Sequence, residues 1–123
     1  MLGTLSREEK MVLLATIKYM ASPDGIISEN DIDKINNMAE ERGFDDFTHI
    51  LAEVDKEVHS LDDLKAMIRK ITNPGKRMII IRYALEVSRA DVFMNPHENE
   101  ILKYLCEEWK IALQDVIDEW LNT

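Results

Sequence analysis

Four carboxylates carry the sharpest chemical suggestion in this sequence. Asp24 and Asp31 stand seven residues apart across a turn, and Asp91 and Glu98 repeat that spacing at an offset of 67. Hard cations such as Ca2+ or Mg2+ need several oxygen ligands converging on one point, so two such turns brought together would form a surface pocket for one. Four acids held close without a cation would repel and raise one another's pKa. The pattern is not that of an EF-hand, which alternates its acids around a central Gly and closes on a Glu. Each acid also has a purely structural task open to it. Asp braces turns through its own backbone, and an acid at the third position of a helix completes a cap and suits the helix dipole. The structural task is the stronger expectation.

Lys76 and Arg77 are the second candidate. They follow Asn73-Pro74-Gly75, where Asn at the N-cap and Pro at the first helical position mark a helix start. Positive charge is locally unfavourable in a first turn, and free N–H groups beside two cations suit a carboxylate or phosphate. Salt bridges to the protein's own acids are the competing use, at only ~0–1 kcal/mol each on a surface. His49, His59 and His97 show no paired-ligand spacing with the single Cys106, which argues against zinc. Cys106 falls on an apolar helix face and reads as a buried thiol. Neither a phosphate-binding Gly loop nor a Ser/His/Asp arrangement can be argued.

The elements that must position these residues are helices. Ser6 and Glu9 form a capping box that opens a helix carrying Met11, Leu14, Ile17 and Ala21 and stopped by Pro23-Asp24-Gly25. Ile26 and Ile27 are expected to tuck inward. Ser28 and Asp31 cap the next helix, which ends at Gly43. Residues 44 to 58 give a third, and Ser60-Leu61-Asp62-Asp63 starts a short fourth. Met78-Ile79-Ile80-Ile81 has strand-like residue types, but it runs at helical spacing into Ala84, Leu85 and Val87. A helix apolar almost all round should be the buried central one. Asn95-Pro96-His97-Glu98 restates the cap before a sixth helix with Ile101, Leu102, Leu105, Cys106 and Trp109. A last helix carries Leu113, Val116, Ile117, Trp120 and Leu121.

The offset of 67 aligns more than the acids. It sets Met11 on Met78, Ile35 on Leu102, Glu40-Glu41 on Glu107-Glu108 and Ile50 on Ile117. The resulting expectation is an all-α protein of about seven helices in one domain spanning 1–123. Three-helix halves, about 6–58 and 73–122, would be joined by a linker helix of about 60–71 and related by a pseudo-two-fold axis.

Ala21-Ser22-Pro23-Asp24-Gly25-Ile26-Ile27-Ser28-Glu29-Asn30-Asp31 resembles the TerB family, in which a helix ends in Ala-x-x-Asp-Gly before an apolar pair, a cap and an acid. The second copy, Ala90-Asp91 to Glu98, departs in having Val92 where the family has Gly, and Asp31 stands where Glu is commoner. The resemblance covers roughly residues 8 to 121. It implies an all-helical domain linked to stress response, with acidic residues suggested as a metal-binding surface, and it supplies no established enzyme activity.

Composition bounds the rest. At 46% hydrophobic and 32% charged the 123 residues suit a globular chain and not a disordered one. A net charge of −9 argues against nucleic acid or an anionic membrane as the main partner. Between Lys65 and Arg82, however, lie six basic residues and no acid, so the molecule should be electrically two-sided. One Cys excludes an internal disulfide, and the first apolar run is too short to span a bilayer and wrongly flanked for a signal peptide. A cytoplasmic location is the default expectation. The function these features favour is a non-enzymatic TerB-like module that binds a partner protein, with a divalent cation at its paired turns as an added feature. Glu40, Glu41, Glu107, Glu108 and Trp120 are the candidate partner contacts. The alternative is a metal-dependent hydrolase acting on a phosphorylated small molecule, with Lys76 and Arg77 as phosphate clamps.

Overall fold

Serine and asparagine caps start four of the helices among the described residues. The computed structural model describes residues 2–22, 24–89, 98–112, 114, 115 and 118. After a 3-10 turn at Leu2–Thr4 come α1 (Arg7–Ala21), α2 (Glu29–Glu41), α3 (Phe47–Glu57), α4 (Leu61–Lys70), α5 (Pro74–Arg89) and α6 (Glu98–Glu108). No strand occurs among the described residues, and the all-α expectation holds. The seventh expected helix falls mostly outside them, although Gln114, Asp115 and Asp118 are helical.

The caps are local chemistry. Ser6 Oγ accepts from Glu9 N at 3.2 Å while Glu9 Oε1 accepts from Ser6 N at 2.7 Å, closing the predicted box. Ser28 and Ser60 accept in the same way from Asp31 N and Asp63 N, both at 3.2 Å. Asn73 Oδ1 receives Lys76 N at 3.1 Å. Each bond satisfies a donor that the helix start would otherwise leave orphaned, worth ~1 kcal/mol.

The central helix is α1 and not α5. Seven consecutive residues, Met11 through Ile17, are buried, and α1 packs on α3, α4, α5 and α6. Its enclosure is hidden in the sequence because Thr16 is polar yet fully buried, and because its cations are drawn onto partners at the edge. Helix α5 buries Ile80, Ile81, Tyr83, Ala84, Leu85 and Val87 but leaves Met78 and Ile79 half-buried. Its Tyr83 hydroxyl donates to the Ile35 carbonyl of α2 at 3.1 Å. The third helix begins at Phe47, and Phe44 instead fills the elbow before it, edge-on to the Phe47 ring at 5.8 Å between centroids.

Helices α2 and α6 end by the same device at positions 67 apart. Phe44 N donates to Ala39 O at 3.0 Å across Gly43 (φ 90°), and Ile111 N donates to Cys106 O at 2.9 Å across Lys110 (φ 55°). Glycine takes this left-handed conformation freely, whereas a side chain there costs about 1–2 kcal/mol. Lys110→Gly is therefore expected to stabilise the fold by about 0.5–1 kcal/mol, part of the gain being lost to the freer unfolded chain. Urea unfolding of the two proteins checks it. A less stable variant would mean that Lys110 makes a contact outweighing its backbone strain.

Candidate functional site

The first acidic turn is built from the end of α1. Its polypeptide leaves α1 at Ser22, whose N–H still bonds back to Lys18 O at 3.3 Å. Ser22 Oγ donates to Asp24 Oδ1 and accepts from Ile26 N at 3.1 Å, and it lies 2.9 Å from Ile26 O. Asp24 Oδ1 also accepts from Ile26 N at 3.1 Å. Gly25 (φ 75°) lies flat on the Tyr19 ring; an added Cβ would stand 3.1 Å from the ring carbon that bears the hydroxyl. The Ser22 hydroxyl and the Ile26 amide hold the Asp24 carboxyl below the usual carboxylate range. Burial, then Asp63 and Asp24, pushes the Tyr19 phenol up.

Asp24 is thus a turn brace, its Oδ1 already engaged by two protein donors. Asp31, half-buried at the third position of α2, offers its N–H to Ser28. Asp91 lies outside the described residues, as does the side chain of Glu98, so the second half of the candidate cation site does too. Among the described residues no three His, Cys, Asp or Glu side chains cluster as a metal would require. A hard cation takes six to eight oxygens, more than the carboxylates of Asp24 and Asp31 supply by themselves.

Lys76 and Arg77 are placed by the cap of α5 and turned toward backbone oxygens. Lys76 Nζ donates to Thr4 O at 2.8 Å, and Arg77 Nε donates to Ile71 O at 2.7 Å. The Arg77 guanidinium also lies 5.6 Å from the Trp109 ring centroid. Two other basic residues of this stretch are engaged as well. Arg69 faces Glu108 at 3.6 Å, and Lys65 stands 4.8 Å from the Tyr104 ring centroid.

Glu40 and Glu41 are exposed at the C-terminal end of α2, and Glu107 and Glu108 at that of α6, where neither helix has a basic residue in its last turn. Trp120 lies outside the described residues. Cys106 is buried, and burial followed by Glu107 pushes its thiol up, away from a reactive thiolate.

One surface feature was not expected from the sequence. Ile26 is 71% exposed, the one large hydrophobic side chain to be so among the described residues, whereas Ile27 is half-buried. Beside Ile26 is a cleft of about 220 Å³ lined by Ile27, Ile32, Leu51 and the Lys18–Asp55 ion pair. A larger cleft, about 550 Å³, opens where the start of α1 faces the α4–α5 junction, between Arg7, Glu8, Met67, Lys70 and Asn73. Neither left a sequence motif, because each is made by residues far apart in the chain.

No helix among the described residues is long and apolar enough to cross a membrane. A family model described as tellurite resistance protein TerB matches residues 7–118. No curated protein and no solved structure matches the chain.

Proposed function

We propose, from the premise that this chain belongs to the TerB family, that it is a non-enzymatic stress-response module in the cytoplasm whose acidic surface binds a basic partner protein. The observation that carries this reading is the pair of glutamates at each of two helix ends. Acid beside a helix C-terminus opposes the dipole at ~0.3–1 kcal/mol a residue. Glu40, Glu41 and Glu107 are exposed and hold no cation in an ion pair among the described residues, while Glu108 faces Arg69. A basic partner would offset that cost. Capping does not explain these acids, although it does explain Asp63, whose Oδ2 accepts from His59 N at 2.9 Å ahead of α4.

The reading assigns Asp24 to its turn and gives a divalent cation no task there. Two measurements test it together. Cross-linking in intact cells, with and without tellurite, should recover a basic protein joined to wild-type protein, and Glu40→Gln/Glu41→Gln/Glu107→Gln should reduce that yield severalfold. Calorimetric titration of metal-stripped protein with Ca2+ and Mg2+ should show no micromolar site that depends on Asp24. Tight cation binding abolished by Asp24→Ala, with no cross-linked partner, would replace this reading with the hydrolase alternative.

A further inference from the structure

We propose that Ile26 and the cleft beside it dock a short basic segment of the partner that also carries a bulky aliphatic side chain; this deepens the partner-binding reading and rests on it. An isoleucine exposed to 71% loses the benefit of burial, and nothing in the turn requires a large apolar residue there. Its backbone is fixed: Ile26 N is held by Ser22 Oγ and Asp24 Oδ1, and Gly25 is seated on Tyr19. An anchor held in place before binding loses little conformational freedom on docking. The cleft at its foot offers Ile27, Ile32 and Leu51 to a side chain inserted from outside.

Charge selects the occupant. From Tyr19 to Asp33 the chain has Asp24, Glu29, Asp31 and Asp33 and no Lys or Arg. The one cation lining the cleft, Lys18, is already engaged by Asp55, and Lys34 follows the acidic stretch on α2. Asp63, at the start of α4, stands close enough to Tyr19 to act on its phenol together with Asp24. A segment bearing Lys or Arg on either side of a Leu, Ile or Met would place its apolar side chain against Ile26 and its cations over this rim. An acidic segment would be repelled, and so would a second copy of a chain with net charge −9.

The probe is a fluorescein-labelled ten-residue peptide alternating Leu and Lys, with a Leu/Glu peptide as control. Anisotropy should show the basic peptide binding wild-type protein, with affinity about tenfold lower for Ile26→Ser and within threefold of wild type for Ile26→Leu. Amide resonances of Ile26, Ile27, Ile32 and Leu51 should shift on titration. Because Ile26→Ser keeps the charge, equal affinity for the two proteins would mean diffuse electrostatic attraction and overturn the proposal. A concentration-dependent dimer abolished by Ile26→Ser would assign the patch to self-association and overturn it as well. Should the cellular cross-links persist undiminished in Ile26→Ser, the docking proposal fails while the partner-binding reading stands. Absence of cross-links to wild-type protein removes that reading itself.

Discussion

Trp109→Ala should be among the most destabilising single changes in this protein, costing about 3–5 kcal/mol. The ring is buried just beyond the end of α6, and its Nε1 donates to the Ile68 carbonyl near the end of α4 at 3.0 Å. The Arg77 guanidinium lies over the ring from the first turn of α5. One side chain therefore ties three helices, and truncation removes packing, a buried hydrogen bond and a cation–π contact together. Trp109→Phe separates them. It keeps most of the apolar volume and gives up the N–H, so about 1–2 kcal/mol should be lost. Ile68 O would still receive Ile71 N at 3.2 Å, which keeps that carbonyl from being orphaned. Urea unfolding followed by circular dichroism measures both, since Trp120 would complicate a fluorescence signal. A loss below about 1 kcal/mol for Trp109→Ala would show that the three helices are held elsewhere.

Alkaline pH should unfold the protein through Tyr83, and Tyr83→Phe should blunt that response. Burial, with Glu86 acting in the same sense, pushes this phenol far above its ordinary range, and its O–H donates to Ile35 O. In the unfolded chain the group titrates near pH 10. The folded protein therefore retains a proton that the unfolded chain releases, so the contribution is complete below about pH 10 and is lost as pH rises toward the folded value. The loss is about 1.4 kcal/mol per pH unit for one such group. Tyr19 and Cys106, both also raised, act in the same direction. At pH 7 Tyr83→Phe should cost about 0.5–1.5 kcal/mol for the hydrogen bond. Above pH 10 its stability should fall more gently than wild type, by about one proton's slope. Urea midpoints at pH 7, 9.5 and 11 decide it, and parallel profiles for the two proteins would acquit Tyr83.

Local chemistry was legible in the sequence because it acts over three or four residues. Ser6, Ser28, Ser60 and Asn73 all cap where their types and spacing place them. Gly43 ends its helix with positive φ as expected. Trp109 and Cys106 lie in the core on the face their periodicity marks. Non-local arrangement was less legible. The run Met78-Ile79-Ile80-Ile81 looked most central, yet the neighbours of α1 enclose it more fully, and no property of α1 alone reveals how many helices will surround it. Ile26 and Ile27 are the same residue side by side, and only the Ser22–Asp24 bracing turns the first outward. Lys76 and Arg77 were legible as cations of a first helical turn, whereas the Thr4 and Ile71 carbonyl oxygens that meet them come from outside their helix. The paired acids stay half-legible, because Asp24 is seen at its turn and Asp91 falls outside the described residues.

The enclosure of α1 has a consequence for how it finds its rotation. A rod that is greasy on nearly every side can spin about its axis at little hydrophobic cost, so burial alone is a poor compass. Its three cations, Arg7, Lys10 and Lys18, sit at i, i+3 and i+11 on one stripe. All three meet acids of α3 or of the residue just before it: Arg7 with Glu53 at 2.7 Å and Glu57 at 3.0 Å, Lys10 with Asp46 at 2.8 Å, and Lys18 with Asp55. Such pairs add little to stability singly, near 0–1 kcal/mol where exposed. As a keyed edge they make one azimuth of α1 cheaper than the rest. That azimuth fixes the direction in which the chain leaves at Ser22, and so the side of the molecule on which Ile26 emerges.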